Sequence, residues 1–189
     1  MKHTTPTRTA IRRLCEGALL LALAEILSFF PLPKMPQGGS VDLAMLPIFM
    51  FCARWGFGPG MLVSTAHGVL QAMIEGGIAI GWQSIIGDFL LAYAVLGTAG
   101  LFWKMKNSFY LGTLVGCSLR FLVHYVVGAT IWAELMPEVF FNMTMTSPWV
   151  YSALYNGFLC SVVMVLDLVV LGLMRTNPNL RQKIFARQY

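Results

Sequence analysis

Five ionisable side chains lie inside apolar runs of this chain: Glu25, Asp88, Arg120, His124 and Asp167. Inside a membrane span such groups are costly unless paired or solvated, so each is a functional candidate. The densest set is RFLVHYVVGATIW, from Arg120 to Trp132. Arg120, His124, Gly128 and Trp132 recur every four residues, which places them along one slanting helical face. Gly128 leaves room beside that stripe. A tryptophan face is the best aromatic partner for a cation, although a tryptophan at the end of a span is also a common interface anchor. GDFLLAYAVLG carries a carboxylate, Asp88, that needs a donor or a cation. SPWVYSALYNG adds Tyr151, Tyr155 and Asn156. The two tyrosines share a face, whereas Asn156 points elsewhere on an ideal helix. Carboxylate, imidazole, amide, phenol and indole together suit a small, aromatic, positively charged, hydrogen-bonding ligand. Plain structural readings stand beside this one. Asp167 and Arg120 could form an ion pair, Glu25 could reach water at its helix end, and the tyrosines could be interface anchors.

These residues need a membrane scaffold. The chain has 189 residues, of which 57% are hydrophobic and 11% charged. Ordinary soluble domains carry about 25% charged residues. Mean hydropathy is +0.70. This composition predicts an all-α integral membrane protein, a single membrane domain over residues 1–189. Six spans of the length a bilayer requires are expected at about 10–30, 41–55, 59–76, 82–103, 108–133 and 148–174. Pro31, Pro33 and Pro36 close the first, and Pro47 interrupts the second. The N-terminal apolar run resembles a signal peptide, but its length and the spans that follow predict a first membrane helix.

The basic residues set the orientation. Lys2, Arg8, Arg12 and Arg13 precede the first span, Arg54 follows the second, and Lys104 and Lys106 follow the fourth. Arg175, Arg181, Lys183 and Arg187 follow the sixth, and Lys34 alone faces the other side. This asymmetry predicts cytoplasmic N- and C-termini in a multi-pass plasma-membrane protein. It also accounts for the net charge of +5 without nucleic acid. The outer loops hold Asp42, Glu75, Glu134 and Glu138, an acidic entry for a cation. Cys15, Cys52, Cys117 and Cys160 form no CxxC pair and read as small buried hydrophobes. The chain has no P-loop, no HExxH, no Cys/His zinc cluster and no GxSxG elbow. No cofactor and no metal are expected, and the protein does not read as an enzyme. Its small size suits a substrate-capturing subunit driven by partners.

PQGGSVDLAMLPI, GDFLLAYAVLGTAGLF, RFLVHYVVGATIW and YSALYNG, in this order, carry a resemblance. The chain resembles, over about residues 12–175, the substrate-binding S component of energy-coupling-factor (ECF) vitamin importers, specifically the thiamine-specific family. The resemblance implies high-affinity capture of thiamine outside a bacterial cell. Delivery inward would use a membrane coupling subunit and two ABC-type ATPases, with reorientation of the whole S component. It implies that Asp88 bonds the aminopyrimidine, that His124 and Trp132 contact the ligand rings, and that Tyr151 and Asn156 complete the pocket. Asp42 matches an acid near the mouth, and Arg120 matches a supporting base. Gly38, His67 and Phe89 depart from the pattern, with Trp82 or Tyr155 as compensating candidates. Ala18 and Ala22 match an AxxxA motif that docks the coupling subunit. Small residues four apart also serve ordinary intrachain packing. Loop 31–41 and the loop after the fifth span are expected to act as a lid. The alternatives are an S component for another small heterocycle and, in a different class, a membrane-embedded enzyme using His124 and Asp88 for acid–base work.

Overall fold

Residues 6–35 and 38–180 are described by the computed structural model. Lys2, Arg181, Lys183 and Arg187 of the charge pattern lie outside the described residues. Six helical segments dominate the rest. They are α1 (Pro6–Ser28), α2 (Met45–Trp55), α3 (Phe57–Glu75), α4 (Gly81–Phe102), α5 (Ser108–Thr130) and α6 (Pro148–Thr176). By length and apolar composition, α4, α5 and α6 are long enough to cross a membrane. Large apolar side chains such as Leu14, Leu19, Leu62, Met73, Leu114 and Leu173 point away from the bundle. In lipid such an exterior carries no penalty, because the surrounding tails are equally apolar.

Local sequence explains the boundaries. Pro148 occupies the first turn of α6, where its missing N–H loses no helical bond. Pro47 likewise falls in the first turn of α2, so that helix runs unbroken instead of being interrupted. Gly56, at φ +85°, makes the sharp corner between α2 and α3, a conformation that favours glycine. A Cβ on Gly100 would lie 2.4 Å from the Gly56 backbone, so both glycines are needed where α4 crosses that corner.

The fourth helix is not uniform. It starts as α-helix at Gly81–Ser84, widens to a π-helix over Ile85–Leu91, and tightens to a 3-10 helix over Val95–Phe102. The sequence predicted a plain span here. α5 packs along α6 and against the 3-10 part of α4. α2 is the central element, with Ile48, Phe49, Phe51 and Cys52 almost wholly enclosed.

Two small hairpins lie at one end of the bundle. β1 (Leu32–Lys34) pairs antiparallel with β2 (Ser40–Val41), matching Leu32 with Val41. β3 (Val139–Phe140) pairs with β4 (Met143–Thr144) around Phe141 and Asn142, both at positive φ.

Several expectations are corrected. Asp167 is completely buried, and among the described residues neither carboxylate oxygen has a hydrogen-bond partner, so it makes no hydrogen-bonded ion pair with Arg120. Glu25 does not simply reach water, because it binds His67 and Gln71. Cys15 is exposed and Cys160 half-buried, so only Cys52 and Cys117 are buried hydrophobes.

Candidate functional site: an acidic aromatic cavity

A cavity opens where the end of α3, the start of α4, the second half of α5 and the first half of α6 meet the β1–β2 loop. Asp42, Asp88, Arg120, His124, Gly128, Trp132, Tyr151, Tyr155 and Asn156 all line it. Glu75, Tyr93, Ser152 and Cys160, which the sequence did not single out as site residues, line it too.

The π-helical segment sets the position of Asp88. Such bulges are frequent at functional sites, because one extra residue per turn re-aims the side chains that follow. Gly87 allows a close approach here: a Cβ would lie 2.6 Å from Val127 Cγ2 on α5. Asp88 then meets three donors. His124 Nδ1–H donates to Oδ1 at 2.9 Å, Ser84 Oγ–H to Oδ2 at 2.7 Å, and Trp132 Nε1–H to Oδ2 at 2.8 Å. A carboxylate oxygen accepts about two hydrogen bonds, so Oδ2 is filled and Oδ1 keeps one lone pair for a ligand. Trp132 lies just past the end of α5, and its backbone N–H donates to Val127 O at 3.3 Å. The four-residue stripe therefore ends in a widened turn, closed five residues back, that swings the indole toward Asp88.

Below Asp88, Arg120 Nε donates to His124 Nε2 at 3.1 Å. Its guanidinium carbon lies 4.2 Å from the centroid of the Tyr93 ring. Arg120, the one Arg or Lys in the cavity wall among the described residues, is thus held by a ring and an imidazole, while Asp42, Glu75 and Asp88 contribute carboxylates. A cleft lined mainly by one sign of charge concentrates the opposite sign, here a cation.

The α6 wall supplies neutral groups. Tyr151 is buried, and its hydroxyl has no hydrogen-bond partner among the described residues. Asn156 Nδ2 donates to His124 O and Ser152 O, both at 3.2 Å, so its carbonyl oxygen is the group left for a ligand. Both residues line the same cavity on a continuous α-helix, so no irregularity is needed to bring them together. The space at Gly128 is filled: a Cβ there would meet Ser152 Oγ at 2.5 Å and Asn156 Nδ2 at 3.0 Å.

The mouth is built from loops. Asp42 Oδ1 accepts from Ala44 N at 2.9 Å and Oδ2 from Ser40 Oγ at 3.0 Å, so it also fixes the entry into α2. Gly39 N donates to Tyr155 Oη at 3.1 Å, which ties the first hairpin to α6. Gly38 has φ +85°, where any larger residue would be strained. Phe140 of the second hairpin packs edge-on against Tyr151, ring centroids 5.2 Å apart.

Three candidates fall elsewhere or change role. His67 is fully buried outside the cavity lining, and Trp82 is 67% exposed and also outside it. Phe89 lines the cavity as an apolar wall. Ala18 and Ala22 lie on an exposed face of α1. Two of the missed polar partners had a readable signal, the four-residue spacings of Ser84 to Asp88 and of Ser152 to Asn156.

The sequence matches the family described as thiamine transporter protein across residues 14–182. The chain belongs to that family. The curated thiamine transporter ThiT of Bacillus subtilis (strain 168) is 29% identical over 184 residues, covering 89% of this chain and 93% of that protein. A solved structure of ThiT from Listeria monocytogenes superposes with a TM-score of 0.78 at 21% identity. It covers 90% of this chain and 97% of that one, and carries the fold comparison. These relatives are named as transporters rather than as enzymes.

Proposed function

We propose that this protein is the thiamine-binding S component of an ECF-type importer, a six-span plasma-membrane protein with cytoplasmic termini. The observation that carries the ligand assignment is the Asp88 cluster, filled on one oxygen only. One oxygen is filled by Ser84 and Trp132, and the other is left open beside His124. An exocyclic amine on an aminopyrimidine has the N–H donor that this lone pair accepts. The thiazolium cation then lies among the acidic wall groups Asp42 and Glu75, and Trp132 offers an aromatic surface. Tyr151 Oη supplies a free hydroxyl, and Asn156 a carbonyl oxygen.

Family membership supports thiamine as the ligand. The exposed Ala18 and Ala22 on α1 suit close approach of the coupling subunit, with two ABC-type ATPases supplying energy beneath it. Both hairpins close over the mouth as the lid.

The test is tryptophan fluorescence of the detergent-purified full chain during thiamine titration. Saturable quenching at submicromolar thiamine is expected, and its loss in Trp132→Phe would place the ligand against the indole. A flat response in both fluorescence and calorimetry would overturn the thiamine assignment.

A further inference from the structure

A chain of direct side-chain contacts runs from α1 into the cavity. It begins at Glu25, one turn beyond Ala22 on α1. His67 Nδ1 lies 2.6 Å from Glu25 Oε1, and Gln71 Nε2 donates to Oε2 at 3.0 Å. Both partners sit on α3 and are buried, with His67 at 0% exposure. The His67 ring meets the Tyr93 ring edge-to-face at 4.6 Å between centroids, with an interplanar angle of 79°. Tyr93 in turn lies under the Arg120 guanidinium, and Arg120 Nε reaches His124 Nε2. His124 ends on Asp88.

Nothing in the cavity wall requires an acid on α1. Glu25 does not line the cavity, and its two oxygens are used entirely within the α1–α3 contact. The Glu25 side chain keeps only 14% exposure, and a carboxylate so far enclosed is costly, so an ordinary helix contact would use apolar residues instead. Its effect is to hold an imidazole edge against one aromatic ring. Gly68, next to His67, makes this possible: a Cβ there would lie 2.7 Å from Phe89 O and 3.1 Å from Tyr93 Cβ. α3 is therefore pressed onto the π-helical segment at the point where Tyr93 and Asp88 emerge.

We infer that Glu25 and His67 are positioning residues for the binding cavity, acting through Tyr93 to fix Arg120 against His124. The inference rests on the cavity being the thiamine site. Its mechanism is orientational. The Tyr93 ring is a seat for the guanidinium, and a seat that rocks lets Arg120 Nε leave His124. His124 then loses the partner that orients its ring, and Asp88 loses a fixed donor. The affinity of the cavity is in this way set partly from α1, the helix that presents Ala18 and Ala22.

The experiment uses the purified full chain with 15N-labelled histidine, assigned through His67→Gln and His124→Gln. Ligand-free spectra are compared for the wild type, Glu25→Gln, Tyr93→Leu and the lipid-facing control Ile26→Ala. Glu25→Gln and Tyr93→Leu should each move the His124 ring-nitrogen signals, and the control should not. A merely structural role would lower thermal stability but leave those signals in the folded fraction unmoved. Thiamine calorimetry on the same proteins should show about a tenfold loss for each of the two variants, about 1.4 kcal/mol. Their double variant should lose no more than the worse single, because both act on one path. Unmoved His124 signals in both variants overturn the inference, whatever the affinities do. Moved signals in a wild type that binds no thiamine would keep the positioning role and discard the thiamine reading. If Glu25→Gln does not fold, Tyr93→Leu leaves the Glu25–His67–Gln71 contacts intact and gives the same readout.

Discussion

Arg120 Nε stands 3.1 Å from His124 Nε2, and this contact fixes which ring nitrogen carries the proton. Nε of arginine can only donate, so Nε2 presents a lone pair. The N–H is then on Nδ1, aimed at Asp88 Oδ1 2.9 Å away. A base one turn below thereby makes His124 a donor to Asp88. Arg120 supports the cluster, and nothing in the geometry asks it to touch a cationic ligand.

Asp88→Asn should weaken thiamine binding by at least about tenfold, about 1.4 kcal/mol. Either orientation of the amide sets its NH2 against a donor, His124 on one side or Ser84 and Trp132 on the other. Calorimetry measures it directly, and an unchanged dissociation constant would remove Asp88 from the site.

Tyr151→Phe should have opposite effects on stability and binding. The hydroxyl is buried without a partner among the described residues, a situation that costs about 1–3 kcal/mol. Its removal should leave the unliganded protein as stable or more stable in a thermal melt. Thiamine affinity should fall, because the open donor is lost. A variant that is both less stable and unaltered in binding contradicts this reading of the hydroxyl.

Gly128→Ala should damage both fold and site. The new methyl meets Ser152 Oγ and Asn156 Nδ2, which already hold α6 against the His124 carbonyl. Overpacking of this kind costs about 1–3 kcal/mol. The thermal midpoint should drop and thiamine should bind more weakly. Retention of both at wild-type values would show that the two helices have slack that the close approach does not suggest.

Asp167→Asn should be tolerated. Asp167 has no hydrogen-bond partner among the described residues to lose, and an amide is less costly than a carboxylate to keep buried. The expected result is an equal or higher melting temperature with thiamine binding retained. A marked fall in melting temperature would point to a cation held by Asp167 in solution.

Much of the membrane scaffold was legible because apolar length is a local property. α5 and α6 begin at Ser108 and Pro148, where the apolar runs placed them. Candidate ligands were legible for the same reason: Asp88, Arg120 and His124 stand out against an apolar background, and a four-residue spacing is enough to put Arg120 and His124 on one face. Glu25 and His67 show the limit. Read singly, one could reach water and the other belonged to the pocket, yet they bind each other across 42 residues of sequence.

The sequence by itself determined which helices exist, which residues are chemically capable, and the family the chain belongs to, since all three are written in composition, spacing and ordered motifs. Only the tertiary structure decided how those residues are used. The π-helical turn at Ile85–Leu91, the close approaches at Gly87, Gly68 and Gly128, and the turn that swings Trp132 onto Asp88 depend on neighbours far away in the chain. A hydrogen bond is set by distances of a few tenths of an ångström. Those distances are fixed when helices pack, and no periodicity within one helix contains them.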